Sequence, residues 1–194
     1  MKAKLINLIS RFLCRFVNKQ DFFIATAQTI IPPDKSSNRK FYDIDNLAEF
    51  EEVCKKYDFS VPDADAKKRF ENKQHFCVIT EDNHYGCWGW YTTTTEDFAV
   101  TEINRSSPVP ENTAVLFHYF TNECQRRKGY YCELLKNIVV SNQKEYSIIY
   151  AYDTNIASSN AIKKAGFSYI GRMNHNNFIS FHKMISMFNP EEKV

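Results

Sequence analysis

The feature that most constrains the fold is an apolar run at residues 114–120, which leads through a basic turn at residues 125–128 into a helical pattern starting at Gly129. Such a run is typical of a strand buried on both faces of a sheet and followed by a crossover helix. Backbone N–H groups and the positive end of the helix dipole converge at this kind of junction, and a glycine there lets a ligand approach the backbone. The pattern predicts an α/β fold with a phosphate site at the turn.

The other elements follow from hydrophobic periodicity and turn residues. Strands are predicted at residues 22–31, 75–80, 85–95, 113–121, 146–152, 167–173 and 178–187, with the second and third forming one hairpin and the last two another. Helices are predicted at residues 45–57, 62–70, 129–140 and 158–165, with Asp45 as an N-cap and Gly166 ending the last helix. Residues 106–112, with two prolines, are predicted to form a connecting loop. A chain of 194 residues with this pattern suits one compact domain.

Composition and charge argue against several classes of protein. A formal net charge of +2 is too small for a general nucleic-acid binder. The six cysteines form no CxxC pair and no cluster with histidine, which predicts no metal site and favours a reduced, cytoplasmic protein. No apolar run approaches the ~20 residues of a membrane span. Arg11 and Arg15 interrupt the N-terminal apolar stretch, which is therefore unlike a signal peptide.

Residues 1–20 are predicted to form a basic amphipathic helix ahead of a domain at residues 21–194. Apolar residues recur at helical spacing, and the first twenty residues carry five basic side chains and no acidic one. Two interpretations remain open. The helix packs on the domain or on a second subunit, as in a homodimer, or residues 1–18 lie on an anionic membrane surface, which would make the protein peripheral to the inner membrane face.

Residues 126–131, Arg-Arg-Lys-Gly-Tyr-Tyr, resemble a motif of the GNAT superfamily of acyl-CoA-dependent N-acyltransferases. In that family the pattern [Q/R]-x-x-G-x-[G/A] binds the pyrophosphate of coenzyme A. This chain matches the first four positions, but Tyr131 replaces the final Gly or Ala. A side chain of that size either crowds the pyrophosphate or points away along the helix.

A second feature similar to the same family follows the next predicted strand. Asn155 and Ser158 stand at the start of a short helix, and Lys164, Gly166 and Phe167 at its end match the family in type and spacing. In the family, this asparagine and the start of this helix contact the pantetheine or pyrophosphate part of the cofactor. Two motifs in the right order on the right elements are more specific than either alone, and the resemblance extends over about residues 20–187.

The resemblance implies a GNAT fold of the α/β (α+β) class, with a mixed central sheet of six to seven strands flanked by helices. It also implies acetyl-CoA as co-substrate, with its pantetheine arm in a gap where the strand at residues 113–121 splays from the strand at residues 146–152. A backbone N–H in the gap would polarise the thioester carbonyl. The implied cofactor-binding residues are Tyr119, Thr121, Arg126, Arg127, Lys128, Gly129, Tyr130, Tyr131, Asn155 and Ser158.

The catalytic groups of many family members are absent from this sequence. Their tyrosine acid, seven residues after the motif asparagine, is replaced here by Ile162. Val115 and Phe117 occupy the inward positions of the central strand where other members carry a glutamate base. If the chain is an enzyme, other side chains or water must therefore move the protons.

His118 and Tyr152 are the candidate catalytic residues. His118 has an intrinsic pKa suited to a base, and Tyr152 would protonate the leaving thiolate. If strand parity turns His118 towards a covering helix, it is instead a hydrogen-bonded core histidine. Glu123 near the turn and proton removal through water are alternatives. Cys124 lacks a clear histidine and acid arrangement, so a covalent acyl-enzyme is disfavoured.

The function that the resemblance implies is transfer of an acetyl group from acetyl-CoA to a small-molecule primary amine. Trp88, Trp90 and Tyr91 either pack in the core or form an aromatic wall of the acceptor site. Such a wall and a basic N-terminal helix favour an amino sugar, free or nucleotide-linked, in cell-surface polysaccharide synthesis. The alternatives are acetylation of a protein or peptide amine, and a non-catalytic GNAT-fold protein that binds CoA or a partner.

Overall fold

The computed structural model describes residues 18–33, 38–61 and 66–188. The strands in these ranges are β1 (Gln20–Thr26), β2 (Lys40–Ile44), β3 (Gln74–Glu81), β4 (His84–Thr92), β5 (Asp97–Val100), β6 (Arg105–Pro108), β7 (Thr113–Thr121), β8 (Tyr146–Tyr152) and β9 (Ser168–Met173). The α-helices are α1 (Leu47–Lys56), α2 (Ala66–Glu71), α3 (Tyr130–Ser141), α4 (Ile156–Lys164) and α5 (Phe181–Phe188). Short 3-10 turns lie at Thr101–Ile103 and Glu123–Gln125.

Seven strands form one mixed sheet in the order β2-β3-β4-β7-β8-β1-β9. Strands β5 and β6 pair separately. Neighbours in the large sheet are antiparallel, except that β7 and β8 are parallel. A parallel pair needs a crossover connection, which α3 supplies. The prediction of a mixed sheet of six to seven strands flanked by helices is confirmed.

Strand β1 lies inside the sheet, between β8 and β9. It is antiparallel to both, and its residues Phe22, Phe23 and Ile24 are fully buried. The predicted hairpin of residues 167–173 with residues 178–187 is therefore wrong. Strand β9 pairs with β1, and the last segment forms helix α5, in which Phe181 and Met184 are buried at the three-residue spacing of a helix face.

Helices cover both faces of the sheet. Helices α3 and α4 pack on one face, called here the α3 face, over a core that includes Phe23, Leu116 and Ile149. Helices α1, α2 and α5 pack on the opposite face, called here the α1 face, over a core that includes Trp90 and Ile148. Alternate residues of each central strand thus contribute to two separate cores, as expected for a sheet with two covered faces.

Some predicted boundaries and elements are wrong. Asn46, and not Asp45, caps α1, because its side chain accepts a hydrogen bond from the backbone N–H of Glu49 at 3.0 Å. Strand β2 was not predicted, since its five residues, Lys-Phe-Tyr-Asp-Ile, form a short run in which apolar and polar residues do not alternate regularly. Strand β6 lies partly within the predicted loop at residues 106–112. The strand predicted to end at residue 31 ends at Thr26.

The glycine predicted to end α4 is confirmed. Gly166 has φ +107, which is the left-handed region that a glycine adopts without steric cost. The N–H of Phe167 bonds the carbonyl of Ile162 at 3.3 Å, and the N–H of Gly166 bonds that of Lys163 at 3.0 Å. This pattern satisfies carbonyls that would otherwise be unpaired at the helix end.

The helix predicted over residues 1–20 lies almost wholly outside the described residues, as does the predicted start of the helix at residue 62. The description begins at Asn18, and β1 already starts at Gln20, which pairs with Tyr152 at the carboxyl end of β8. Over residues 18–33, 38–61 and 66–188, no helix is long and apolar enough to cross a membrane.

Candidate functional site

Strands β7 and β8 separate partway along their length. Their parallel pairing ends at Leu116 and Ile149, whereas β7 continues to Thr121 and β8 to Tyr152. Beyond that point each strand stays paired with its outer neighbour, β4 or β1. The predicted gap between these two strands is therefore present in the fold.

A bulge at His118 bends β7 where the gap begins. The pairing of β7 with β4 shifts register between Trp88 and Trp90, so that His118 and Tyr119 stand opposite Gly89. His118 has φ +57, in the left-handed region that is typical of a bulge. The rings of the two bulge residues lie on opposite faces of the sheet. His118 lies 5.5 Å from the Trp88 ring on the α1 face, whereas the Tyr119 ring covers Gly89 on the α3 face.

The basic turn before α3 contains two residues with positive φ, Arg127 at +65 and Gly129 at +86. Gly129 is the N-cap of α3, and no side chain of the described residues caps this helix. A Cβ at Gly129 would meet one neighbour within 4 Å, Arg39 Nη1 at 4.0 Å. The first turn of α3 therefore presents its N–H groups beside open space, at the positive end of the helix dipole.

Two of the three basic side chains of the turn contact other residues of the turn. Arg126 Nη2 lies 3.2 Å from Glu123 Oε1 in an exposed ion pair, and Lys128 Nζ donates to Gln125 Oε1 at 2.8 Å. Both contacts are on the surface and are weak enough to be exchanged for a ligand.

Arg39, which was not predicted as a site residue, lies over the same turn. Its Nη2 donates to the carbonyl of Lys128 at 3.0 Å, and its Nη1 lies 2.6 Å from Glu133 Oε2. The guanidinium carbon is 3.9 Å from the centre of the Tyr130 ring. The Tyr130 hydroxyl in turn donates to Glu81. Burial and this hydrogen bond raise the pKa of Tyr130 to about 12.

The second motif forms the opposite side of the site. Asn155 caps α4, because its Oδ1 accepts a hydrogen bond from the N–H of Ser158 at 3.1 Å. The Ser158 hydroxyl donates to the Tyr131 hydroxyl at 3.2 Å, and the Tyr131 and Tyr119 rings are 5.4 Å apart. Burial raises the pKa of Tyr131. Of the two orientations left open for this side chain, the structure has the one that points into the site.

A cavity of about 960 Å3 lies between these turns and the gap. Of the predicted cofactor-binding residues, those that line it are Tyr119, Thr121, Arg126, Arg127, Gly129, Tyr130, Tyr131, Asn155 and Ser158. Lys128 is absent from the lining, and its carbonyl is held by Arg39. Lys136 and Lys164 add positive charge to the wall. A volume of this size is sufficient for a cofactor-sized ligand.

The two candidate catalytic residues lie outside this cavity, on the α1 face. His118 is exposed, and Arg69 Nη2 of α2 donates to its Nδ1 at 3.0 Å. Tyr152 is 44% exposed, and strand alternation puts it on the same face as Tyr150. Phe120 lines the cavity, and its ring stacks on Trp88 at 5.8 Å. The gap thus has the cavity on one face and His118 on the other.

Of the two interpretations of the aromatic residues on β4, core packing is the one that the structure shows. Trp88, Trp90 and Tyr91 are only 1%, 0% and 2% exposed, so they belong to the two cores. Trp88 and Trp90 point to the α1 face and Tyr91 points to the α3 face, because successive residues of a strand point to opposite faces of the sheet. Helices cover both of these faces. Ile162, at the position of the missing family acid, is also fully buried.

Metal-binding residues do not cluster in the described part of the chain. Over residues 18–33, 38–61 and 66–188, no group of three or more His, Cys, Asp or Glu side chains has an arrangement that could hold a metal ion. Cys124 is exposed on the Glu123–Gln125 turn.

The sequence matches no model of a known protein family, and no curated protein resembles it significantly in sequence. Solved structures resemble its fold. A GCN5-related N-acetyltransferase from Kribbella flavida superposes with a TM-score of 0.51 at 9% identity, over 79% of this chain and 55% of that one. A GNAT-family protein from Novosphingobium aromaticivorans gives a TM-score of 0.53 at 15% identity, over 80% of this chain and 61% of that one.

A third similar structure is a GCN5-related glucosamine N-acetyltransferase region of a fungal multi-domain β-N-acetylglucosaminidase. Its TM-score is 0.55 at 12% identity, over 80% of this chain and 20% of that one. The chain therefore spans less than two thirds of the length of each of these three proteins. The structural similarity extends over about four fifths of this chain, which therefore has the fold of the GNAT superfamily.

Proposed function

We propose that this chain is an N-acyltransferase that moves an acetyl group from acetyl-CoA to a primary amine. The observation that supports this proposal most is the cavity at the gap between β7 and β8. It is lined by nine of the ten residues that the family resemblance assigns to the cofactor, although those residues come from three different elements and the turn between them.

The side chains and backbone around the cavity suit the phosphates of coenzyme A. The amino ends of α3 and α4 both reach the cavity, and Gly129 leaves open space over the first of them. Arg127, Lys136 and Lys164 supply positive charge from the basic turn, α3 and α4 respectively. Pro32 and Pro33 add apolar wall for the less polar parts of such a ligand.

Acetyl-CoA, when bound, supplies the acetyl group as a thioester. In the described part of the chain no strand pairs with the inner edge of β7 beyond Leu116, so backbone groups of that edge are available to hydrogen-bond a ligand chain. His118, at the bulge on the other face, is the residue that we assign to contact the acceptor amine. Tyr152 is the second candidate for a proton-transfer role.

For the acceptor we propose an amino sugar, free or nucleotide-linked. Phe120 and Tyr152 are 39% and 44% exposed, and both lie at the ends of the separated strands. An exposed aromatic ring suits the apolar face of a sugar. The fungal structure with a similar fold carries glucosamine in its name. A role in cell-surface polysaccharide synthesis, at the inner membrane face through residues 1–18, is part of this proposal.

Calorimetry and thermal shift with acetyl-CoA test the donor. If the protein binds acetyl-CoA, its melting temperature should rise as the acetyl-CoA concentration increases above the Kd. The Arg127→Ala, Lys128→Ala double variant is expected to bind about tenfold more weakly, because a cation that lines the cavity and a neighbouring cation of the basic turn are lost together. Lys55→Ala, Lys183→Ala removes two exposed cations elsewhere and serves as the control.

Release of free thiol from acetyl-CoA then tests the acceptor. Amino sugars, nucleotide-linked amino sugars and peptides are compared at equal concentration. Turnover with amino sugars would support the proposal. Turnover with peptides alone would show that the acceptor is a peptide or protein amine instead. Binding of acetyl-CoA without turnover on any amine would favour a non-catalytic binding protein, and no binding at a large excess would remove the CoA-based function altogether.

A further inference from the structure

Tyr131 is the position at which the first motif departs from the family pattern, and its side chain crosses the cavity. The residue belongs to the first turn of α3, but its hydroxyl is bonded to Ser158 in the first turn of α4 at 3.2 Å. Its ring packs against the ring of Tyr119 on β7, with a distance of 5.4 Å between the ring centres. This contact between the two helices is called here the Tyr131–Ser158 bridge.

The bridge lies on the route that an extended ligand would take. Helix α3 follows β7 and helix α4 follows β8, so their first turns flank the gap between the same two strands. A ligand that extends from the basic turn at Gly129 into that gap must pass between those first turns. The bridge joins them across this passage, because both of its residues line the cavity.

A compact ligand at the turn would not need the passage. The positive-φ residues Arg127 and Gly129 and the open space over Gly129 are on the α3 side of the bridge. A phosphate group in that space would contact the amino end of α3 and would not need to displace the Tyr131 ring.

We propose that Tyr131 is a specificity-determining residue of this site: the Tyr131–Ser158 bridge must open before a donor with a long chain can bind, whereas a short phosphate ligand binds with the bridge closed. This inference rests on the proposed use of acetyl-CoA. Opening the bridge costs free energy, and only the long ligand requires this opening. The bridge therefore weakens the binding of CoA but leaves the binding of its phosphate-bearing fragment unchanged.

The test compares CoA with adenosine 3′,5′-bisphosphate, the CoA fragment that lacks the 4′-phosphopantetheine arm. Tyr131→Phe keeps the ring and removes the bond to Ser158, and Tyr131→Ala removes the ring. We expect calorimetry to show CoA binding about fivefold tighter in Tyr131→Phe, the value of one neutral hydrogen bond, and tighter still in Tyr131→Ala. Binding of the bisphosphate is expected to stay within about twofold of the unaltered protein, since no bridge is opened.

Tyr169→Phe is the matched control. It removes the hydroxyl of an exposed tyrosine that donates to Asp21 at 3.5 Å, away from the cavity, and is expected to leave both affinities unchanged. Equal or weaker CoA binding in both Tyr131 variants, with bisphosphate binding intact, would overturn the inference and leave the proposed donor standing. CoA binding only by the variants would support it. Absence of binding by every protein and ligand would overturn the proposed donor and, with it, this inference.

Discussion

Arg69 Nη2 donates a hydrogen bond to Nδ1 of His118 across 3.0 Å. A guanidinium is always a donor, so Nδ1 is an acceptor and the neutral ring carries its hydrogen on Nε2. Arg69 is itself held over the rings of Trp90 and Phe117, at 4.9 Å and 5.3 Å from their centres. Under the proposed function, His118 would therefore offer the acceptor a hydrogen-bond donor from Nε2, and its Nδ1 would not be available as a base.

His118→Gln is therefore expected to retain part of the acetyl-transfer activity, whereas His118→Leu loses it by about 100-fold. Glutamine places an N–H near the position of Nε2 but does not titrate. The activity of His118→Gln should therefore depend less on pH than the activity of the unaltered protein. Steady-state kinetics over a pH range measure both effects. Equal loss in the two variants would indicate that His118 acts as a base, and a matched fall in melting temperature would indicate a folding defect.

Arg39→Ala is expected to weaken CoA binding by about tenfold, because the side chain that holds the Lys128 carbonyl and the Tyr130 ring is lost from the turn. Calorimetry with CoA measures the change. Arg105→Ala is the matched control, since Arg105 Nε donates to the carbonyl of His175 at 2.7 Å on a different part of the surface. Equal effects of the two substitutions on CoA affinity would contradict a specific role for Arg39.

Gly89→Ala is expected to destabilise the fold by about 2 kcal/mol through overpacking. A Cβ at this position would lie 2.1 Å from Tyr119 Cδ1, so the ring over the bulge would have to move. Urea unfolding measures the loss. At Gly171, an added Cβ would have only an ordinary contact, 3.8 Å from Met173 Cε, which makes Gly171→Ala the control. Similar stabilities for the two variants would show that the bulge adjusts without cost.

Asp43 is the acceptor for four side chains, and Asp43→Asn is expected to lower the free energy of unfolding by about 2 kcal/mol at neutral pH. The donors are His75, Cys77, Tyr91 and Ser141. Burial alone would raise the pKa of Asp43, but hydrogen bonds from His75 and Tyr91 outweigh it, so the pKa is lowered.

The sign of the pH dependence follows from that lowered pKa. A carboxyl group with a depressed folded-state pKa stabilises the fold above its unfolded pKa of about 3.9 and loses this contribution as the pH falls through the folded value. Urea unfolding from pH 7 downwards should therefore show the difference between the unaltered protein and Asp43→Asn shrinking below about pH 4. The exposed Asp97→Asn is the control, and a difference that stays constant with pH would exclude this origin.

Deletion of residues 1–18 tests the two interpretations of the basic N-terminal segment. If the segment binds an anionic membrane, the shortened protein no longer sediments with vesicles that contain acidic lipid, because the electrostatic and apolar contacts are lost together. A variant with Lys2, Lys4, Arg11 and Arg15 replaced by Gln separates the charge contribution. Unchanged sedimentation with a halved molar mass in light scattering would instead support a dimer contact.

The turns and helix ends of the site could be predicted from the sequence, because they depend on residues that are close together in the chain. Gly129 and Gly166 have the positive φ that glycine permits, and Asn155 caps the helix that follows it. Arg39 could not be predicted, because it reaches Lys128 through strand pairing of β2 with β3, and the two residues are 89 positions apart in the chain. The position of β1 in the strand order could not be predicted either, since the apolar pattern of a strand does not specify which strands lie next to that strand.

The central position of β1 has a consequence for synthesis of the chain. Residues Gln20–Thr26 are synthesised before their partners Tyr146–Tyr152 and Ser168–Met173, which follow β2 to β7 in the chain. Until then a strand with three fully buried apolar residues in the finished fold is without both neighbours. Pairing of β1 therefore waits for strands that are distant in sequence, and this long-range step is slow and leaves an apolar strand open to aggregation until β8 and β9 have been made.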